Sequence, residues 1–134
     1  MNTPKFSGAC IISDGKILLV QESHKEARGL WSYPLGHIED GETEAIAAAR
    51  EVKEETGYDI VLGKSKKLEI NGDDFKSLHK FNQNTVELTI FEGKIAGGNL
   101  LAGDDMLDAR WFFLGELDSL PLRGDWLKFF LSFD

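Results

Sequence analysis

Cysteine is almost missing from this chain: Cys10 is the only one in 134 residues. No internal disulfide can form, and a thiol set in an apolar run reads as a small buried side chain rather than a nucleophile. No Pro-, Gly- or Ser-rich stretch, repeat or linker breaks the sequence, so a single domain over residues 1–134 is expected. No apolar run approaches the ~20 residues of a membrane span. The N-terminus lacks a basic-then-apolar leader pattern. A cytoplasmic protein without a membrane partner is therefore expected. Basic residues are the minority, with Lys and Arg totalling 15 against 23 Asp and Glu, a net charge of −8. That balance repels a polyanion, which argues against long nucleic acid as a partner. A small phosphorylated molecule remains compatible, provided cations neutralise its site.

The stretch from Gly36 to Tyr58 stands out. A glycine-containing acidic loop leads into a helical pattern. Thr43 suits the N-cap, and Gly57 suits the position just past the C-terminus. Ala45, Ile46, Ala49 and Val52 form the expected apolar stripe. At about 100° per residue, Glu51, Glu54 and Glu55 fall within one arc, on the side away from that stripe. Like charges at these spacings repel by a few tenths of a kcal/mol per pair. A hard divalent cation, bound through oxygen, is the chemistry that makes such crowding useful.

The same stretch resembles the signature of the Nudix (MutT-like) hydrolases, Gly-x5-Glu-x7-Arg-Glu-U-x-Glu-Glu-x-Gly-U, where U is bulky and aliphatic. Gly36, Glu42, Arg50, Glu51, Val52, Glu54, Glu55 and Gly57 match. Tyr58 departs, being aromatic, and Leu35 stands where the family usually has glycine. A match of this kind arises by chance in such a chain on the order of once in 10^5–10^6. The resemblance implies a mixed α/β sheet in an α/β/α sandwich. It also implies a hydrolase, dependent on Mg²⁺ or Mn²⁺, that cleaves a diphosphate linkage in a nucleoside di- or triphosphate or a related nucleotide. Glu51, Glu54, Glu55 and the Leu35 carbonyl are the implied metal ligands, and Glu51 or Glu54 the implied base. Arg50 and Glu42 are implied to brace the loop, with Gly36 and Gly57 serving the backbone. Arg28 is a candidate substrate contact. Asp104, Asp105 and Asp108, in or beside an acidic loop, are candidates for a further ligand or the base. An ADP-ribose or sugar-nucleotide pyrophosphatase is the alternative, and a catalytically silent nucleotide-binding domain is the alternative from another class. Family members are often homodimers.

The rest of the chain reads mainly as strands. Lys5–Ser13 and Lys16–Gln21 flank an Asp14-Gly15 hairpin turn. Residues 22–30 read as a solvated loop. Trp31 to Pro34 is extended, with Trp31 in the core and His37 at the surface. Residues 58–62 and 68–70 read as two strand pieces separated by a solvated basic run at 63–67. A loop over 71–82 precedes a strand at 85–96. After an acidic loop at 100–107 come a strand at 110–113, a helical turn at 116–120 and a terminal helix at 125–133.

Overall fold

The apolar runs near the N-terminus become the middle of a mixed sheet. The computed structural model describes residues 3–76 and 85–133, and these contain seven strands. Strand β1 (Lys5–Ser13) turns through Asp14-Gly15 into β2 (Lys16–Glu22). Both turn residues have positive φ, 52° and 76°, as a tight hairpin between twisted strands requires. Then come β3 (Trp31–Ser32), β4 (Leu35–His37), α1 (Glu44–Thr56), β5 (Tyr58–Asn71), the short α2 (Gly72–Phe75), β6 (Thr85–Gly98) and β7 (Met106–Phe113). The strand order is β3-β2-β1-β6-β5, with β4 also on β1 and β7 also on β2. Only β1 and β6 pair in parallel, while the other pairings are antiparallel.

Alternation along β1 builds a core on each face. Ala9 and Ile11 pack with Leu18 and Val52 on the side covered by α1. Phe6 and Cys10 belong to the larger cluster on the other side, with Tyr33, Phe75, Trp126, Leu127 and Phe130. The third layer is thus the C-terminal segment, which is a 3-10 helix over Asp125–Phe130 rather than the longer terminal helix expected to reach 133. Its aromatic residues propagate an α-helix poorly, and short tight turns are the usual result. Cys10 is buried, and burial pushes its thiol up to about 12, in keeping with a packing role. Trp31 lies in the core, edge-on to Phe112 at 4.7 Å.

The basic run does not break β5, which pairs with β6 from end to end around register shifts at 59/60 and 62/65. Nor are its lysines idle. The Lys66 ammonium donates to the Phe129 and Ser132 carbonyls at 2.7 Å each and so holds the C-terminal turn. Lys67 pairs with Glu44 in the first turn of α1. Strand β7 starts at Met106, earlier than expected, because β2 offers partners out to Glu22. Of the expected 71–82 loop, residues 72–75 form α2 and residues 77–82 lie outside the described residues. Among the described residues, no helix is long and apolar enough to cross a membrane.

Beside the Lys66 bonds and the aromatic packing, the C-terminal layer is held by a buried hydrogen bond. The Tyr33 hydroxyl, itself wholly buried, donates to the Leu127 carbonyl at 2.6 Å. Tyr33→Phe leaves that carbonyl without its donor, so a loss of about 1–3 kcal/mol in urea unfolding is expected. An unchanged midpoint would show that the bond carries no weight.

Candidate metal centre

Helix α1 docks through small residues. Thr43 caps it, its hydroxyl accepting from the Ile46 N–H at 3.1 Å. Gly57 ends it in the left-handed region, φ 81°, donating to the Lys53 carbonyl at 3.0 Å. The buried positions are Ala47, Ala48, Glu51, Val52, Glu55 and Thr56. Ile46, expected in the apolar stripe, is 57% exposed. The expected separation of stripe and carboxylates is therefore corrected. Glu51 and Glu55 follow Ala48 at helical spacing and lie on the docked face itself, while Glu54 remains at the exposed rim. Alanines bring the helix close to the sheet, and the carboxylates fill the space beyond them. Gly36 makes room, since a Cβ there would overlap the Glu51 carboxyl carbon.

Arg50 organises the rim. Its Nε and Nη2 donate to the two Glu42 oxygens at 2.7 and 2.9 Å, the two-pronged geometry that suits a guanidinium. Nη2 also donates to the His37 carbonyl at 3.0 Å, and the Glu39 N–H donates to Glu42 at 2.9 Å. These bonds tie the loop at 37–42 to the helix and hold the Glu42 carboxyl down at about 2. Nη1 reaches Glu51 at 2.8 Å and both Glu54 oxygens at 3.3 Å.

Glu51 and Glu55 lie about one helical turn apart on the docked face, and each carboxyl acts on the other. Burial raises both, and for Glu55 the neighbouring charges of Glu22 and Glu51 add to the effect. Glu55 accepts from the Leu35 backbone N–H, yet its Oε1 is buried without a partner. Among the described residues, no three His, Cys, Asp or Glu side chains are already drawn together as a cation cage. The Arg50 guanidinium, bonded to Glu51 and Glu54, offsets part of the repulsion between the glutamates. The donor set nonetheless fits a hard cation: every group is an oxygen, and one buried carboxylate oxygen lacks a bond.

A NUDIX domain model matches residues 3–130. The chain belongs to the Nudix family. It is 36% identical over 110 residues to the ADP-ribose pyrophosphatase of Methanocaldococcus jannaschii, covering 82% of this chain and 62% of that protein. The chain spans less than two thirds of the length of curated relatives it matches. Its fold is similar to a NUDIX hydrolase from Nitrosomonas europaea, with TM-score 0.81, 23% identity, and 95% and 84% of the two chains covered. It is also similar to a bifunctional NMN adenylyltransferase/ADP ribose pyrophosphatase from Francisella tularensis, complexed with AMP and a manganese ion. There the TM-score is 0.71 at 24% identity, over 92% of this chain and 38% of that one.

The two departures from the Nudix signature are absorbed locally. Leu35 sits in β4 opposite Gly8, outside the positive-φ region, with its side chain in the core. Tyr58 packs against Trp111, whose indole N–H donates to its hydroxyl at 3.3 Å. The remaining candidates are placed less centrally. Arg28 donates to the Ser23 carbonyl at 3.0 Å and braces its own loop. Asp104 and Asp105 are exposed, in a loop whose Gly103 N–H donates to the Glu55 carbonyl at 3.0 Å. The Asp105 carbonyl accepts from the Ser23 hydroxyl. Asp108 is paired with Arg110 at 2.6 Å. Sequence reasoning missed Glu22 and Arg123, both buried and joined at 3.0 Å. The available signal was a charged residue closing the apolar run Ile17 to Val20.

Because the folded state raises Glu55 above the ordinary ~4.3 of a glutamate, the native protein holds this proton to higher pH than the unfolded chain. The associated stability is complete below the unfolded value and is lost as pH rises through the folded one. Glu55→Gln stays neutral throughout. In metal-free protein its melting temperature should exceed that of wild type by a few degrees at pH 8 and converge with it near pH 4. A variant melting below wild type at pH 8 would contradict this electrostatic account.

Proposed function

We propose that this chain is a divalent-metal-dependent hydrolase that cleaves a diphosphate linkage in a nucleoside di- or triphosphate or a related nucleotide. The observation that carries the reading is the unpartnered, buried Glu55 oxygen beside Glu51 on the docked face of α1. Glu51, Glu54, Glu55 and the Leu35 carbonyl would hold Mg²⁺ or Mn²⁺. When bound, such an ion neutralises the diphosphate and acidifies the attacking water.

The chain's own residues divide the remaining work. Glu51 is held in place by Arg50 at 2.8 Å and packed against β4 at Gly36, which suits a ligand. Glu54, with its side chain 57% exposed, can reach solvent at the rim and take a proton from water, which suits the base. Arg50 orients both while it fixes the loop through Glu42, acting as a positioning residue. The net charge of −8 disfavours long nucleic acid and makes local neutralisation necessary for a diphosphate.

An ADP-ribose or sugar-nucleotide substrate is the second reading. It is favoured by the 36% identity to a protein named as an ADP-ribose pyrophosphatase. A panel of nucleotides, sugar nucleotides and dinucleotides, assayed for phosphate and pyrophosphate release with Mg²⁺ and with Mn²⁺, separates the two. Glu54→Gln should fold normally and lose on the order of 100-fold or more in kcat, the usual scale for removing an acid–base group. Unchanged turnover in that variant would overturn the role given to Glu54. Metal-independent turnover by wild type would overturn the metal assignment.

A further inference from the structure

Trp126 carries a buried polar atom that the fold leaves unsatisfied. Its side chain is 9% exposed, and its Nε1–H is buried without a hydrogen-bond partner. A buried indole N–H usually finds an acceptor. The ring is held among Phe75, Tyr33 and Phe130, with centroids 5.6, 6.5 and 6.5 Å away. Its N–H edge is turned to Gly124. A Cβ on that glycine would lie 2.4 Å from both Cδ1 and Nε1 of the indole, and 3.3 Å from the Asp74 carbonyl oxygen. The Gly124 φ is −177°, extended backbone that any residue adopts, so glycine is needed here for space and not for conformation. Its missing side chain leaves a slot between the indole edge and the Asp74 carbonyl.

The slot opens on a cavity of about 600 Å³, whose walls include Gly124, Trp126, Glu69, Asp74, Lys76 and Asp125. The Lys76 ammonium is committed to the Arg123 carbonyl at 2.9 Å. Glu69, Asp74 and Asp125 are exposed, and none makes an ion pair among the described residues. Three such carboxylates repel a phosphate, so the diphosphate end of a nucleotide is excluded. The complementary group is neutral and flat, with N–H donors for the carboxylates beside an acceptor for the indole. The edge of an amine-bearing nucleobase carries both.

The cavity also lies within a nucleotide's reach of the candidate metal centre. The His37 ring, next in sequence to Gly36, is 4.1 Å from Phe6; Phe6 is 4.6 Å from Phe75, and Phe75 touches Trp126. A second cavity, of about 810 Å³, shares Glu69 with the first and is lined by His37, Glu39 and Asp40 of the loop that Arg50 ties to α1.

We propose that the cavity at Trp126 is the subsite for an amine-bearing nucleobase, with the indole N–H donating to the base acceptor and Asp74 and Asp125 accepting from the amine. This rests on the nucleotide reading given above and names the part of the substrate held away from the metal. It makes Trp126 a specificity-determining residue outside the signature stretch.

The test follows the indole N–H signals of the three tryptophans in ¹H–¹⁵N NMR spectra of the full chain with Mg²⁺. Trp126→Phe, or sequential assignment if that variant does not fold, identifies the Trp126 signal. AMP, GMP and CMP are titrated beside IMP, UMP and ribose 5-phosphate. The Trp126 signal should move downfield with at least one amine-bearing nucleotide. The counterpart lacking the amine, IMP for AMP or GMP and UMP for CMP, should bind at least about 10-fold more weakly, the scale of one hydrogen bond to a charged group. The Trp111 N–H, already bonded to Tyr58, should stay in place. The variant D74N/D125N, altered only at exposed carboxylates, should bring that preference close to one. A Trp126 signal indifferent to all six ligands would overturn the proposal. So would an equal response to ribose 5-phosphate, which would put the sugar there, or an unchanged preference in D74N/D125N. Nucleotide turnover with a fixed Trp126 signal overturns this proposal alone. A responding signal in a chain that hydrolyses no nucleotide overturns the hydrolase reading alone.

Discussion

Two carboxylates on the docked face of a helix set the terms for the rest of the site. Glu51 and Glu55 are buried beside Ala48 and Val52, where an ordinary amphipathic helix would place leucine or isoleucine. Burying a carboxylate is costly unless something opposes its charge. The protein distributes that opposition. Arg50 stands on Glu51, the Leu35 backbone N–H donates to Glu55, and burial raises the carboxyls of both glutamates. Each compensation is partial, and an unbonded Glu55 oxygen marks what is left over. Sites held in this unrelieved condition are common where a cation is to be bound, since a fully satisfied cluster would have no affinity to offer.

The scaffold supports this arrangement from three directions. Alanines at 47 and 48 let α1 approach the sheet, and Gly36 leaves space for the Glu51 carboxyl. The Glu42–Arg50 fork ties the loop at 37–42 to the helix, so the loop and the carboxylates move as one body. The Glu44–Lys67 pair, together with the Thr89 hydroxyl donating to Glu44 at 2.8 Å, pins the first turn of α1 to the sheet. On the opposite face, the C-terminal 3-10 helix is fixed by Tyr33 and Lys66, and the loop preceding it delivers Arg123.

Local rules carried the reading where a single element decided the outcome. The Thr43 cap, the Gly57 terminus and the Asp14-Gly15 turn depend on near neighbours in sequence, and each is found in the structure, as is the Arg50–Glu42 pairing that the resemblance implied. The face on which α1 docks was not legible. Ile46 is the most apolar residue of its first turn, and only contact with the sheet shows that the small alanines win the interface. The basic run misled for a related reason, because Lys66 and Lys67 gain their partners from the C-terminus and from α1. Glu22 and Arg123, separated by 101 positions in the chain, meet only once the sheet has formed. The matching NUDIX domain model and the similar solved structures support the architecture that the signature implied.

The central claim is that burial and neighbouring carboxylates raise the Glu55 carboxyl well above the ordinary range, and that it belongs to the proposed cation site. Carboxyl-carbon NMR of selectively labelled glutamate, titrated in metal-free protein and again with Mg²⁺, tests it directly. The account predicts that Glu55 titrates well above the ordinary carboxylate range without metal, and that saturating Mg²⁺ ionises it at neutral pH. A Glu55 carboxyl that titrates near ~4.3 in metal-free protein, and is indifferent to Mg²⁺, would contradict it.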